Sequence, residues 1–262
     1  MFFLKKVYNE IMREKKTKNN EQDIEKRYAE FISTVSHELR TPLTSIMGFA
    51  DTLLTSSDKL SEEQRKKFLQ IIKEQSKRLI TMIENLLIVS KLQSSNEKLV
   101  YKSVSLNSLI TKIMPLIKIQ FNTHSFEVDL KQNLPEVLVD TDKFQQILLN
   151  LVENAVKYSN EGTKITIKTE YDDKNVYLKI KDEGIGISDE NKSKIFEKFA
   201  RLDTPLTRKT QGSGLGLYIV KKSVEQMDGK IEVQDNKPQG SCFVLTFKQA
   251  EYQSQSEKRL RG

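Results

Sequence analysis

Residues 31–42 read FISTVSHELRTP, and this stretch decides the fold because it sets a histidine against an amphipathic helical pattern. Apolar and aromatic side chains recur there at steps of three and four, a period typical of one buried helical face. They are Tyr28, Phe31, Ile32, Val35 and Leu39. His37 lies two residues from both Val35 and Leu39 and therefore roughly opposite that face. The pattern predicts an exposed imidazole.

The neighbours of His37 favour a chemical role for it. Glu38 follows directly, and Thr41 lies one helical turn further on the same side. An exposed imidazole beside a carboxylate could act as an activated nucleophile. A lone exposed histidine is more often a solvated surface residue, so these residues alone leave both interpretations open.

The helical pattern continues past Pro42 and then returns in a second helix. Pro42 is expected to bend the first helix without ending it, because apolar positions resume in phase at Leu43, Ile46, Phe49 and Leu53. Residues 55–63 form the turn, and Ser61 with the acids after it marks a helix start. Apolar positions in the second helix are Phe68, Ile72, Leu79, Met82, Ile83 and Leu86. Two such helices cannot bury their apolar faces alone, so the sequence predicts an α-helical hairpin that forms a dimeric four-helix bundle.

From residue 96 onwards strands and helices alternate, which indicates an α+β two-layer sandwich. The expected strands are Val100–Val104, His124–Leu130, Glu136–Val139, Lys164–Thr169 and Asn175–Lys181, with a final hairpin over 230–247 that turns near Pro238-Gly240. The expected helices are Leu106–Ile119, Asp142–Tyr158 and 214–227. His124, in a strand with no acid or nucleophile beside it, is assigned a structural role.

Four regions follow from these patterns. Residues 1–23 are expected to form a polar lead-in, helical or flexible, and residues 24–95 the dimerisation hairpin. Residues 96–249 form the sandwich, and residues 250–262 form a disordered tail.

Composition excludes several classes of protein. The chain has 262 residues and a net charge of +7, but basic and acidic residues alternate and no recognition helix or zinc-ligand set is present. Nucleic-acid binding is therefore not expected. No stretch approaches 18 uncharged apolar residues, so no membrane span is expected in this chain. The single cysteine, Cys242, excludes an internal disulfide and suits a reducing cytoplasm.

The predicted helix Asp142–Tyr158 carries a polar set on one face. Asn150 and Asn154 are four residues apart, and Lys157 and Tyr158 follow one turn later. Amide oxygens suit Mg²⁺, and an ammonium group pairs with phosphate. The same residues could equally form the wet face of an amphipathic helix.

Two glycine sets follow. Asp182, Gly184 and Gly186 come directly after a strand, where the acid can accept a hydrogen bond from the exocyclic amine of adenine. Gly212, Gly214 and Gly216 open a helix, whose N-terminal amides suit phosphate. Neither set completes G-x-G-x-x-G, because Asp189 and Leu217 stand at the third position, and no P-loop motif is present. A dinucleotide oxidoreductase and a P-loop enzyme are excluded.

The polar stretch between the glycine sets, with one short helical piece at about 190–197, is long enough to be a lid. Phe196 and Phe199 are candidates for its anchors, and Arg201, with Arg208 or Lys209, for a phosphate contact.

Five blocks together resemble the catalytic core of bacterial two-component sensor histidine kinases. FISTVSHELRTPLTSIMGFADTLL resembles the phosphoacceptor segment, with an H-E-x-x-T signature at His37, Glu38 and Thr41. The blocks ILLNLVENAVKYS, DEGIGIS, IFEKFARLD and QGSGLGLYIVKK follow in the order of the family's N, G1, F and G2 boxes. The resemblance implies a HisKA-type hairpin followed by a GHKL-type ATPase domain, with residues 1–23 as a signal-transfer segment.

The resemblance also implies roles for single residues. His37 is the phosphorylated residue, Glu38 orients it or accepts its proton, and Thr41 assists dephosphorylation of the partner. Asn154 is the Mg²⁺ ligand, supported by Asn150, and Asp182 recognises adenine. The remaining implied ATP contacts are Lys157, Tyr158, Gly184, Gly186, Arg201, Gly212, Gly214, Leu215 and Gly216.

The implied activity is ATP-dependent autophosphorylation of a homodimer and phosphotransfer to a response regulator receiver domain, in the cytoplasm or as the cytoplasmic part of a membrane-associated sensor. One alternative is a conformational ATPase resembling gyrase, MutL or the ninety-kilodalton heat-shock chaperones. That class needs an acid where this chain has Asn150. A second alternative is a scaffold that binds nucleotide without phosphotransfer.

Overall fold

The computed structural model describes residues 32–33, 35–56, 59–93, 99–198, 200 and 214–251. The lead-in predicted at 1–23 lies outside this part of the chain, as does the predicted tail apart from residues 250 and 251. The chain divides into two compact units, Met1–Glu84 and Asn85–Gly262.

The first unit contains a helical hairpin, and the last nine residues of its second helix, 85–93, are assigned to the second unit. Helix α1 covers residues 35–55 and continues through Pro42, which confirms that the proline does not end it. Helix α2 covers Glu62–Gln93. Ser61 and Gln64 form a reciprocal capping box before α2, since each backbone N–H donates to the other side chain, at 2.9 and 3.2 Å. The predicted start of the second helix is confirmed.

The hairpin leaves many apolar side chains exposed in the single chain. Phe49 and Phe68 pack together across it, with ring centroids 5.0 Å apart. Eight other large apolar residues among the described residues between 32 and 93 are at least 45% exposed: Ile32, Leu43, Met47, Leu54, Leu69, Ile80, Ile83 and Leu87. Ile80, Ile83 and Leu87 share one helical face by their spacing.

Among its described residues, the second unit has three further helices that are described over their full length, together with seven strands. The helices are α3, Leu106–Gln120, α4, Thr141–Lys157, and α5, Gly216–Gln226. The strands are β1, Tyr101–Val104, β2, Ser125–Leu130, β3, Val137–Asp140, β4, Lys164–Tyr171, β5, Asn175–Lys181, β6, Lys230–Asp235, and β7, Ser241–Lys248.

The main sheet is mixed and has the strand order β2-β4-β5-β7-β6. Strand β2 pairs with β4 in parallel, with α4 in the connection between them, and the other pairs are antiparallel. Strands β1 and β3 form a separate antiparallel pair. One apolar core joins α3, α4 and α5 to the sheet, and Phe144 of α4 meets Phe247 of β7 edge to face. The helices thus form a layer against the sheet, as the sequence predicts.

The polar connection after β5 differs from its prediction in detail. In place of one helical piece at about 190–197, its described part contains two 3-10 turns, Asp189–Asn191 and Lys194–Phe196. Segments of three residues commonly take this tighter form. Phe196 is buried and packs edge to face on Phe243, so it does anchor the connection, whereas Phe199 lies outside the described residues.

Candidate functional site

His37 is exposed on α1. The hydroxyl of Thr41, also exposed, donates to the His37 carbonyl oxygen at 3.3 Å, so it points back along the helix towards the histidine. The two side chains therefore occupy one exposed side of α1, as predicted.

Glu38 is held by a residue that the sequence pattern did not identify. Arg78 of α2 lies 3.5 Å from the Glu38 carboxylate, and both side chains are about one-fifth exposed (19% and 24%). Nε of Arg78 is buried and has no hydrogen-bond partner among the described residues. The sequence did contain one signal for this contact, since Arg78 is a basic residue next to Leu79 on the apolar side of α2.

The polar set on α4 begins from a well-defined helix start. Asp140 accepts hydrogen bonds from the backbone N–H groups of Asp142 and Lys143, both at 3.1 Å. Its pKa is lowered by these bonds and by one from Val100, although burial opposes them as the largest single effect. This cap fixes where α4 begins and hence which residues share its faces.

Asn150 and Asn154 lie on α4, both half-buried. Neither side-chain amide forms a hydrogen bond with another described residue, so both are available to a ligand. Lys157 lies over the Tyr158 ring, with Nζ 5.1 Å from its centroid. All four predicted residues therefore belong to the C-terminal half of α4 and the residue that ends it.

Asp182 is buried just beyond the end of β5. Its Oδ1 accepts hydrogen bonds from the backbone N–H groups of Gly184 at 2.9 Å and Ser241 at 3.0 Å. No described residue donates to Oδ2. Burial raises the pKa of this carboxyl, and the two backbone hydrogen bonds oppose that rise.

Gly184 brings the Asp182 loop onto the end of α4. A Cβ added at Gly184 would lie 2.3 Å from the carbonyl oxygen of Tyr158 and 2.8 Å from Oδ1 of Asp182. The same carbonyl accepts a hydrogen bond from the Ile185 N–H at 3.2 Å. Glycine at 184 is therefore required for the two predicted parts of the site to meet.

The start of α5 completes this arrangement. A Cβ on Gly216 would lie 3.5 Å from Oδ1 of Asn150, and Gly214 has a positive φ of 67°. Leu215, also a predicted ATP contact, is completely buried. Arg201 and Gly212 lie outside the described residues.

Gly240 is a second residue that the sequence analysis missed. It has a φ of 113°, and a Cβ there would lie 1.9 Å from the Asp182 carbonyl oxygen. Sequence reasoning treated Gly240 only as a turn marker, and its one signal was a glycine directly before a buried strand.

Two family models match the chain. The model for the His Kinase A (phospho-acceptor) domain matches residues 27–95, and the model for the histidine kinase-, DNA gyrase B-, and HSP90-like ATPase matches residues 139–251. With the helical hairpin, the mixed sheet and its helical layer, these matches show that the chain belongs to the two-component histidine kinase family and carries its catalytic core.

A curated relative and two solved structures agree. Sensor protein kinase WalK of Staphylococcus aureus is 32% identical over 229 residues, which are 87% of this chain and 55% of that protein. Histidine kinase ThkA in complex with the response regulator TrrA has a TM-score of 0.67 at 28% identity, covering 84% of this chain and 61% of that one. Full-length ShkA in complex with AMPPNP has a TM-score of 0.61 at 28% identity, covering 84% and 46%. The chain thus spans about half the length of WalK.

None of the helices in the described part of the chain combines the length and apolar character needed to cross a membrane. No cluster of three or more His, Cys, Asp or Glu side chains suited to a metal ion occurs in the described ranges.

Proposed function

We propose that this chain is an ATP-dependent protein-histidine kinase that phosphorylates His37 and passes the phosphoryl group to an aspartate of a response regulator. The observation that carries the proposal is the presence in one chain of an exposed histidine beside an acid and of a separate polar site at Asn150, Asn154 and Asp182. The likeness to ThkA, solved in complex with a response regulator, supports a receiver domain as the partner.

The nucleotide is proposed to bind between the end of α4, the Asp182 loop and the start of α5. Oδ1 of Asp182 is occupied by two backbone donors, so Oδ2 is free to accept a hydrogen bond from the adenine amine. Lys157 and Tyr158 are assigned to the nucleotide, and the N-terminal amides of α5 to phosphate. The likeness to ShkA, solved with AMPPNP, supports ATP as this ligand. Arg201 and Gly212 remain predicted contacts.

Mg²⁺ fits the open side chain of Asn154. Its amide oxygen has no partner among the described residues, and no nearby acid is needed because Mg²⁺ commonly completes its shell with water and phosphate oxygens. Asn150, one turn earlier, is proposed to support this ligand. When bound, the ion neutralises charge on the phosphates.

In the proposed reaction a ring nitrogen of His37 attacks the γ-phosphorus of ATP. An N–P bond forms as the bond between that phosphorus and the bridging oxygen breaks, and ADP leaves with the electron pair. Glu38, next to His37, orients the ring or takes its proton. The receiver aspartate later attacks the same phosphorus and frees the imidazole.

Thr41 is assigned to the reverse, phosphatase reaction. Its exposed hydroxyl lies one helical turn from His37, where its oxygen can align a water molecule against a phosphorylated receiver aspartate. Replacing Thr41 by alanine is expected to preserve labelling of His37 and to slow dephosphorylation of the partner.

ATP and the response regulator are both found inside cells, so we propose that this kinase is located in the cytoplasm.

The active species is proposed to be a homodimer, because the hairpin alone leaves Ile80, Ile83 and Leu87 about half exposed on one face of α2. Ile83→Glu would place a charge in the buried centre of a four-helix bundle and is expected to give monomers in sedimentation. Thr81→Glu, on an exposed position two residues away, is the control. A dimeric Ile83→Glu protein would contradict this assembly.

Labelling with γ-labelled ATP tests the phosphoacceptor. Wild-type protein is expected to acquire an acid-labile, alkali-stable label, and His37→Gln is expected to acquire none. The chain has only two histidines, so His124→Gln is the natural control and should retain the label in folded protein. Persistent labelling of His37→Gln, or nucleotide binding without any label, would refute the proposal and favour a nucleotide-binding scaffold.

A further inference from the structure

The turn between β6 and β7 lies directly against Asp182. The side chain of Asn236 donates from Nδ2 to the Asp182 carbonyl oxygen at 2.8 Å. The Ser241 N–H donates to Oδ1 of Asp182, and the Asp182 N–H donates to the Ser241 carbonyl oxygen at 2.9 Å. Gly240 approaches the same carbonyl so closely that no side chain fits between them.

These contacts determine where the free oxygen of the carboxylate points. Because Gly184 and Ser241 both donate to Oδ1, the direction of Oδ2 follows from the position of the two backbone segments. Among the described residues, only Asn236 reaches the Asp182 main chain with a side-chain hydrogen bond. It is therefore the contact that a substitution can remove without altering the backbone donors.

We infer that Asn236 is a positioning residue for purine selection, which holds the Asp182 main chain so that Oδ2 faces the exocyclic amine of adenine. The inference rests on the proposed function, since it takes Asp182 as the acceptor for that amine. Asn236 itself touches no part of the nucleotide in this arrangement.

Removing the Asn236 side chain should leave the turn in place. The Asn236 N–H donates to the Gly240 carbonyl oxygen at 3.0 Å, and this backbone bond is kept in any variant except proline. The preceding residue, Asp235, also forms an ion pair with Lys192 at 2.8 Å. The Asn236 side chain is only partly buried, so its loss opens no large cavity.

The test compares binding of ADP and IDP, which undergo no phosphoryl transfer here and differ at the purine 6-position and in the hydrogen on N1. IDP has an oxygen where ADP has the amine, so only ADP can donate a hydrogen bond to Oδ2 from the 6-position. Asn236→Ala is expected to weaken ADP binding about fivefold, the effect of one hydrogen bond, and to change IDP binding less than about twofold. Isothermal titration measures both, and the ratio of the two dissociation constants does not depend on the fraction of folded protein.

Two further variants complete the test. Gln239→Ala, at an exposed position of the same turn, is expected to bind both nucleotides as wild type does. Asn236→Asp keeps the size of the side chain but removes the donor, and it should reproduce the selective loss if the alanine variant folds poorly.

The outcomes separate this inference from the proposed function. Equal losses for ADP and IDP, or no loss for either, would overturn the positioning role of Asn236. Wild-type protein that binds ADP no better than IDP would instead overturn the proposed role of Asp182. A lowered ADP preference in both Asn236 variants, with Gln239→Ala unchanged, supports the inference.

Discussion

Replacing Gly184 by alanine is expected to weaken nucleotide binding and to destabilise the second unit at the same time. The added Cβ would lie 2.3 Å from the Tyr158 carbonyl oxygen, 1.1 Å inside the 3.4 Å at which ordinary contacts begin. The close atom belongs to the backbone at the end of α4, so neither side can yield by a simple side-chain rotation. The loop must therefore move away from the helix by about an ångström.

The cost of that movement follows from the contacts it breaks. Overpacking of this kind costs about 1–3 kcal/mol, and loss of the hydrogen bond from Ile185 to Tyr158 adds about 1 kcal/mol. A net loss of about 2–4 kcal/mol lowers the melting temperature of a unit of this size by about 4–16 °C. Asp182 moves with the loop, so ADP affinity should fall at least about tenfold, which is about 1.4 kcal/mol.

Gly229→Ala is the matched control for Gly184→Ala. A Cβ at Gly229 would lie 2.9 Å from the Thr246 carbonyl oxygen, and Thr246 lies five residues beyond Ser241 along β7. This variant should lower the melting temperature and leave ADP affinity unchanged, as measured by calorimetry and titration. If Gly184→Ala melts and binds ADP as wild type does, the close approach of the loop to α4 is not a feature of the molecule.

Three further predictions concern charged groups. Arg78→Ala should slow His37 labelling about three- to tenfold because Glu38 loses its ion-pair partner, and Arg78→Lys should give an intermediate rate. Equal initial labelling rates in wild type and both variants would contradict a role of Arg78 in positioning Glu38. Burial raises the pKa of Asp182, so its carboxylate should become protonated, and the preference for ADP over IDP should decline, at a pH above the ordinary aspartate value of 3.8. A preference that stays constant down to pH 3.8 would contradict this prediction. Hydrogen bonds, chiefly from the Tyr177 hydroxyl, lower the pKa of Asp172 to about 2, so its stabilising effect is complete above 3.8 and is lost as the pH falls through about 2. The melting temperatures of wild type and Asp172→Asn should therefore converge at about pH 2, and a constant difference would argue against the effect.

Local patterns were enough to predict most elements of this chain. The strand predicted at Asn175–Lys181 has those same bounds in the structure, because strict alternation of apolar and polar residues ends at the Asp172 turn. Helix α4 begins one residue before its predicted start, since Asp140 caps it from outside the apolar repeat. Errors of this size arise where a cap, rather than the repeat, sets the end of an element.

Contacts between distant parts of the chain were not predictable in the same way. Arg78 and Glu38 are 40 residues apart, and Asn236 and Asp182 are 54 apart. A single sequence states which residues share a helical or strand face, but it does not state which faces meet. The candidate site on α4 could therefore be predicted as a set, whereas the residues that hold Glu38 and Asp182 could not.

The Asp182 loop shows why some functional contacts leave almost no trace in a sequence. Both hydrogen bonds to Oδ1 come from backbone N–H groups, which any residue other than proline supplies, so the identity of Ser241 says nothing about its bond. The requirement on the sequence is instead steric, because the backbone beside those donors lies too close for any residue with a Cβ. Gly184 and Gly240 both lie where a Cβ would meet backbone at 2.3 and 1.9 Å, respectively. Gly184 was assigned to the site because it belongs to a recognisable motif, whereas Gly240 was interpreted only as part of a turn. Both glycines nevertheless allow the close backbone contacts that surround the Asp182 carboxylate.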